Sequence, residues 1–168
     1  MQVYILYHPR ERLSKCTLRP LWGRPDVHIT TWPEVGIIPA DVLHLAVDGT
    51  PLTPADAGRP ILLVDGTWRQ ALRINSHLRY ERRVLPDFRT AFPRVSKTFT
   101  DPSGGMASSE ALYAASVVLG EPDRSWIAGY YWREEFLARN TERFAEILAA
   151  ARRPATERPR TPDSIAAP

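Results

Sequence analysis

Asp65-Gly66-Thr67-Trp68 sets a carboxylate, a small residue, a hydroxyl and an indole in four consecutive positions, directly after the apolar run Ile61-Leu62-Leu63-Val64. If that run is a buried strand of a parallel sheet, these residues fall at its carboxyl end, where such sheets usually carry their chemistry. Taken alone, they also fit an ordinary helix start, with Asp65 or Thr67 as the cap and Trp68 as packing. Several other chemistries are excluded. The chain has no Walker loop, no Gly-x-Gly-x-x-Gly turn and no Gly-x-Ser-x-Gly elbow. His8, His28, His44 and His77 are scattered without metal-ligand spacing and read as surface or strand-end residues. A single cysteine, Cys16, excludes an intramolecular disulfide and four-thiolate zinc sites. No metal is expected.

A second chemical signal is the distribution of charge. The net charge is only +3, yet residues 69–100 carry Arg69, Arg73, Arg79, Arg82, Arg83, Arg89, Arg94 and Lys97 against Glu81 and Asp87. That segment is +6, and the remainder is −3. Such a stripe is either a solvated basic face or the footprint of a polyanion, and nucleic acid is the usual polyanion. Twenty of the 22 basic residues are arginine, the side chain suited to bidentate phosphate contacts and base stacking.

The elements that must position these residues follow from periodicity and punctuation. At 168 residues, 43% hydrophobic and 24% charged, the chain reads as one soluble globular domain, or one domain plus a small appendage. It lacks a signal-peptide pattern and any membrane-spanning run, so a cytoplasmic location is expected. Strands are expected at Val3–Tyr7, Asp26–Thr31, Val42–Val47 and Ile61–Val64, with a short helical turn at Thr53–Asp56. Thr67–Leu78 suits a helix with Trp68, Ala71, Leu72 and Leu78 inward, and Val84-Leu85 and Phe88–Phe92 suit short extended pieces. Ser108 is placed to cap a helix that Gly120 stops, with Glu110 in its first turn, where the helix dipole favours an acid. A last long helix is expected over Glu134–Arg152, with Phe136, Leu137, Phe144, Ile147, Leu148 and Ala151 on one stripe. Asn140 interrupts that stripe and reads as satisfying a buried backbone group. Alternation of buried strand, turn and helix argues for an α/β fold with a mostly parallel sheet and helices on both faces.

Val64-Asp65-Gly66-Thr67-Trp68-Arg69-Gln70-Ala71 resembles the Asp-x-[Ser/Thr]-Trp signature of two related enzyme groups. These are the DTW-domain tRNA aminocarboxypropyltransferases and the small-subunit rRNA aminocarboxypropyltransferases. More of the chain is similar to the second group. Lys15-Cys16-Thr17-x-x-x-Leu21 resembles its Lys-Cys-[Ser/Thr]-Gly-x-x-Leu motif, with Leu18 replacing the glycine. Leu52-Thr53-Pro54-Ala55-Asp56 resembles its Leu-Ser-Pro-x-Asp segment. Ala107-Ser108-Ser109-Glu110-Ala111-Leu112 resembles a Leu-[Ser/Thr]-x-x-Glu-Ala helix start found in both groups, and Trp132 through Phe136-Leu137 to Asn140 resembles a Trp-x-x-x-Phe-Leu-x-x-Asn pattern. One stretch departs: where the rRNA group carries Ala-Asn-Pro-x-Asn-Tyr-Gly, Ala91-Phe92-Pro93-Arg94-Val95-Ser96-Lys97 keeps only the alanine and proline.

The resemblance implies a SPOUT-like fold with a C-terminal trefoil knot, preceded by a small N-terminal α/β part. The expected division is residues 1–57, a cofactor-binding part over 58–152, and a disordered tail over 153–168. It also implies a transferase that takes S-adenosylmethionine as co-substrate and moves its 3-amino-3-carboxypropyl group to N3 of a uridine or pseudouridine, in small-subunit rRNA. Alternatives are the same transfer to tRNA, RNA methylation, and a non-catalytic RNA-binding ribosome-assembly factor. Asp65 and Trp68 are the implied catalytic pair, with Asp65 accepting the N3 proton or holding the amino group of the cofactor. Thr17, Leu85, Ser108 and Ser109, with Asp65 and Trp68, are implied to bind the cofactor. Arg69, Arg73, Arg82, Arg83, Arg89, Arg94 and Lys97 are assigned to RNA phosphates, and a monomer is expected.

Overall fold

A computed structural model describes residues 1–10, 16–93, 102 and 104–151. Six strands, β1 (Val3–Tyr7), β2 (Val27–Thr31), β3 (Leu43–Ala46), β4 (Thr50–Pro51), β5 (Ile61–Asp65) and β6 (Glu81–Val84), form one sheet in the order β2-β1-β5-β3-β6-β4. Every pairing is parallel. The carboxyl ends of all six strands therefore share one edge, where Tyr7 lies opposite Asp65 in register. Strands from either side of residue 57 interleave, since β5 lies between β1 and β3. The expected tail, residues 153–168, lies outside the described residues.

Alternation along the central strands divides the apolar side chains between two faces. Val3, Ile5, Leu43, Leu45, Ile61 and Leu63 face the larger core, which is completed by α2 (Ser108–Val118), α3 (Arg133–Arg139) and α4 (Thr141–Ala151). Leu6, Leu62 and Val64 face the smaller core, with Ala71, Ile74 and Leu78 contributed by α1 (Trp68–Asn75) and the turn after it. β5 is buried along its whole length, as its unbroken apolar run requires. α2 is buried at almost every position, so it reads as a central helix instead of an amphipathic one.

The structure corrects several expectations. Leu72 is exposed, and Ile74 takes the inward place on α1, because the helix stops at Asn75 and its buried face runs through Ala71, Ile74 and the following Leu78. The extended piece expected at Val84-Leu85 falls at the end of β6, which begins earlier, at Glu81, and ends at Val84; Phe88–Phe92 joins no strand, and its backbone is held by side chains. His44 is fully buried in β3, not at the surface or a strand end. Its Nε2 meets Asn75 Oδ1 at 3.1 Å, and burial, helped by the charge of Arg82, pushes its pKa down to about 4.

The single helix expected over Glu134–Arg152 is two helices, divided at Asn140. Asn140 Nδ2 donates to Arg89 O at 2.9 Å and Phe136 O at 2.8 Å, while its Oδ1 accepts from Arg89 N–H at 2.8 Å. This buried amide meets both backbone polar groups of Arg89, so it fastens the segment after β6 to the break between α3 and α4.

Candidate active site at the carboxyl edge

Asp65 ends β5, and the strand alternation that carries Ile61 and Leu63 turns its side chain toward α2, away from its own helix α1. The cap of α1 is therefore Thr67, whose N–H and hydroxyl each donate to Gln70 Oε1 at 2.9 Å. Gly66 is small for a local reason: a Cβ there would stand 3.1 Å from His8 Cβ and 3.3 Å from Gln70 Oε1.

The Asp65 carboxylate is 6% exposed and holds two partners from distant parts of the chain. Ser108 Oγ donates to Oδ1 at 2.6 Å, and the Cys16 thiol donates to Oδ2 at 3.2 Å. Burial raises the Asp65 pKa above the ordinary carboxylate value; the Ser108 and Cys16 hydrogen bonds oppose that rise without cancelling it. The thiol responds in kind. Burial first, then the adjacent Asp65 charge and hydrogen bond, push Cys16 up to about 12, so it stays protonated at neutral pH.

Ser108 is the first residue of α2, not its cap; Ala107 occupies the cap position, and its N–H is satisfied by Glu110 Oε2 at 3.0 Å. This frees the Ser108 hydroxyl for Asp65. Beside it, Ser109 N–H points at Thr17 Oγ1, 3.4 Å away. The Ser109 hydroxyl is buried and meets no hydrogen-bond partner among the described residues. Thr17, Cys16, Asp65, Ser108 and Ser109 therefore converge from three separate segments. Trp68, half-buried in the first turn of α1, and Leu85, half-buried just past β6, stand at the same carboxyl edge.

Glu110 braces this corner. It is fully buried and accepts four hydrogen bonds, from the N–H groups of Ala107 and Ala91 and the hydroxyls of Thr90 and Tyr130. Its role extends beyond complementing the helix dipole: it ties the segment after β6 and the loop before α3 to the start of α2.

The basic residues separate by what they touch. Arg69, Arg73 and Arg89 are exposed and make no ion pair among the described residues. Arg82 pairs with Asp48 at 2.7 Å and donates to Asn75 O at 3.0 Å. Arg83 is a structural ion-pair residue in this conformation. Its guanidinium forks onto buried Asp56 at 3.0–3.2 Å, meets Glu81 at 2.6 Å and donates to Thr50 Oγ1 at 2.7 Å. Arg94 and Lys97 lie outside the described residues.

Sequence reasoning missed the Cys16–Asp65 contact and the brace at Glu110. The signal available for the first was the adjacency of Cys16 to Thr17 within one motif; nothing in the sequence pointed to the partners of the second.

The donor set can accommodate S-adenosylmethionine. A buried carboxylate suits a cationic ammonium or sulfonium, and the unpartnered Ser109 hydroxyl beside Thr17 and the α2 amides suits an anionic or hydroxyl-bearing group. Among the described residues, no group of three or more His, Cys, Asp or Glu side chains could hold a metal ion, and no helix is long and apolar enough to cross a membrane.

No protein-family profile matches the chain, and no curated protein matches it. A solved structure does: that of the SAM-dependent rRNA:acp-transferase Tsr3 from Vulcanisaeta distributa. The match has a TM-score of 0.70 at 23% identity, over 88% of this chain and 83% of that one. At this identity the likeness establishes that the two proteins share a fold.

Proposed function

We propose that this protein is an S-adenosylmethionine-dependent RNA aminocarboxypropyltransferase, acting as a monomer on N3 of a uridine or pseudouridine in small-subunit rRNA. The observation that carries this reading is the meeting of three sequence motifs at one carboxylate. Cys16 and Ser108, 49 and 43 residues from Asp65, both donate to it, and Thr17 meets the backbone of Ser109 beside it. The fold shared with an SAM-dependent rRNA:acp-transferase supports the same reading. The same proposal includes a knotted, SPOUT-like path for the C-terminal part.

When bound, S-adenosylmethionine supplies a sulfonium-activated methylene carbon: bonding of uracil N3 to that carbon breaks its bond to sulfur, the electron pair stays on sulfur, and methylthioadenosine leaves. The protein contributes orientation and one proton acceptor. Asp65 accepts the N3 proton, and its raised pKa suits that task better than an ordinary surface carboxylate would. Ser108 and Cys16 fix the direction of the carboxylate. Trp68 offers an indole face to the cation, Thr17 a hydroxyl to the ribose, and Ser108 and Ser109 the start of α2 to the carboxylate of the methionine part. Backbone groups at Leu85 close the pocket. Arg69, Arg73, Arg89, Arg94 and Lys97 hold RNA phosphates.

The nucleoside product tests the assignment. Incubation with RNA and S-adenosylmethionine should release methylthioadenosine in amounts that match modified RNA. Release of S-adenosylhomocysteine instead would make the protein a methyltransferase. Cofactor binding without either product would leave a binding or assembly role.

A further inference from the structure

We propose that the turn carrying Arg19 and Trp22 is a platform for a single-stranded RNA nucleotide, with the indole stacking on a base and the guanidinium on its phosphate. This rests on the RNA-transferase reading and adds a binding element outside the basic stripe of residues 69–100.

The turn is a single 3-10 turn, Arg19–Leu21, that follows Cys16 and Thr17 directly. Its inward residues are anchored: Leu18 is fully buried and Leu21 nearly so. Pro20 lies against Gly129, where even a Cβ would come within 2.4 Å of the proline ring, so the turn is seated on the loop before α3 with no room to spare. Alternation around the turn then sends Arg19 and Trp22 outward, joined by the Trp22 N–H to Arg19 O bond at 3.2 Å. Trp22 is 42% exposed, unusual for the largest apolar side chain, and Arg19 is exposed with no ion pair among the described residues.

The indole is also aimed. It meets Tyr7 edge to face, at 6.0 Å between ring centroids and 87° between planes, and Tyr7 lies opposite Asp65 across the β1–β5 pairing. The exposed indole thus stands at the rim of the site, on the same turn as a guanidinium with no ion pair among the described residues. A flat aromatic surface next to a cation is how proteins hold unstacked bases irrespective of sequence. The positive charge without an ion pair among the described residues complements a phosphate, and the indole a base, so a nucleotide fits both groups at once.

The test uses the full chain and a fluorescein-labelled single-stranded oligouridylate, with anisotropy titrations over a salt series and calorimetry of S-adenosylmethionine binding beside them. Trp22→Ala and Trp22→Leu should each weaken oligonucleotide binding about 5- to 100-fold, whereas Trp22→Phe should keep most of it. Cofactor affinity should be unchanged in all three. Arg19→Ala should lower the slope of log affinity against log salt by about one. If Trp22→Leu binds like the wild type, packing on Tyr7 is all the indole supplies, and the platform is overturned while RNA recognition stands. If Trp22→Ala also loses cofactor binding and melts earlier, the indole is a structural residue and the platform is equally overturned. If the wild type binds cofactor but no RNA at all, the underlying RNA reading fails with it.

Discussion

Ser108 Oγ and Asp65 Oδ1 lie 2.6 Å apart, so the first residue of α2 reaches across the larger core face to the last residue of β5. That bond helps to set the direction and the proton affinity of the buried Asp65 carboxylate at the sheet's carboxyl edge. Burial raises the Asp65 pKa, and the Ser108 hydroxyl lowers it again by donating to the charged form.

Removing that donor should move the acid limb of the reaction. If Asp65 must be ionised to accept a proton, activity falls as pH drops through its pKa. Ser108→Ala removes an influence that lowers this pKa, so the acid limb should shift to higher pH. The Cys16→Ala variant should shift it the same way but less, because the Cys16 thiol also donates to the carboxylate and is the weaker of the two opposing hydrogen bonds. A pH profile of kcat for the three proteins checks this, and an unshifted limb in Ser108→Ala would mean that another group titrates.

Cys16 reports on the same carboxylate without any need for turnover. Its thiol is held protonated at neutral pH, with burial the main cause and Asp65 the next. Alkylation by iodoacetamide at neutral pH should therefore be slow in the native protein. Asp65→Asn removes the negative charge that disfavours the thiolate, so alkylation should accelerate. Mass spectrometry over a time course gives both rates.

The arginines that sequence alone grouped together should part into two classes. Arg83→Ala strips buried Asp56 of its fork and should destabilise the fold by about 3 kcal/mol. The Asp56 pKa is lowered: burial works against the charged form, but hydrogen bonds from Arg83 and from the Thr53 N–H outweigh it. The pair's stability is then fully present above the ordinary aspartate value of 3.8 and is lost as pH falls through the lower folded value. Denaturant melts of Arg83→Ala should show that acid dependence weakened. By contrast, Arg69→Ala, Arg73→Ala and Arg89→Ala should melt like the wild type, and each should reduce the salt slope of RNA binding by about one.

Glu110 should be intolerant even of its amide. All four of its partners are donors, so a charged or uncharged acceptor fits and an NH2 group does not. Glu110→Gln sets one amide hydrogen pair against those donors and should cost about 2–4 kcal/mol in a buried site. Asn140→Ala leaves the Arg89 N–H and carbonyl unmet and should cost about 1–3 kcal/mol. Both are read from melting curves with cofactor binding as a second measurement.

Much of the sheet was legible because local signals agreed there. The β-branched run Val3–Tyr7 and the unbroken apolar run at Ile61–Val64, each followed by a turn residue, leave little choice of element. Asp65 could be placed at the carboxyl edge for the same reason. What lay beyond reach was long-range. Period alone runs a helix from Glu134 to Arg152, because Asn140 breaks it through bonds to Arg89, 51 residues away. Likewise, a basic stripe in sequence says nothing of whether a guanidinium meets solvent or a carboxylate, and Arg83 meets Asp56 only through the pairing of β6 with β4. The sequence suggested Ser108 as a helix cap; its actual partner, Asp65, depends on which face of β5 the acid occupies.

Asp65 is proposed to support transfer of an aminocarboxypropyl group to RNA. The direct test incubates the purified protein with unmodified RNA and S-adenosylmethionine labelled either on the methyl or on the carboxyl carbon. Carboxyl label alone should enter the RNA, in a species the size of small-subunit rRNA, and Asp65→Ala should abolish it while the protein stays folded. Methyl label entering the RNA without carboxyl label, or carboxyl transfer undiminished in Asp65→Ala, would contradict the claim.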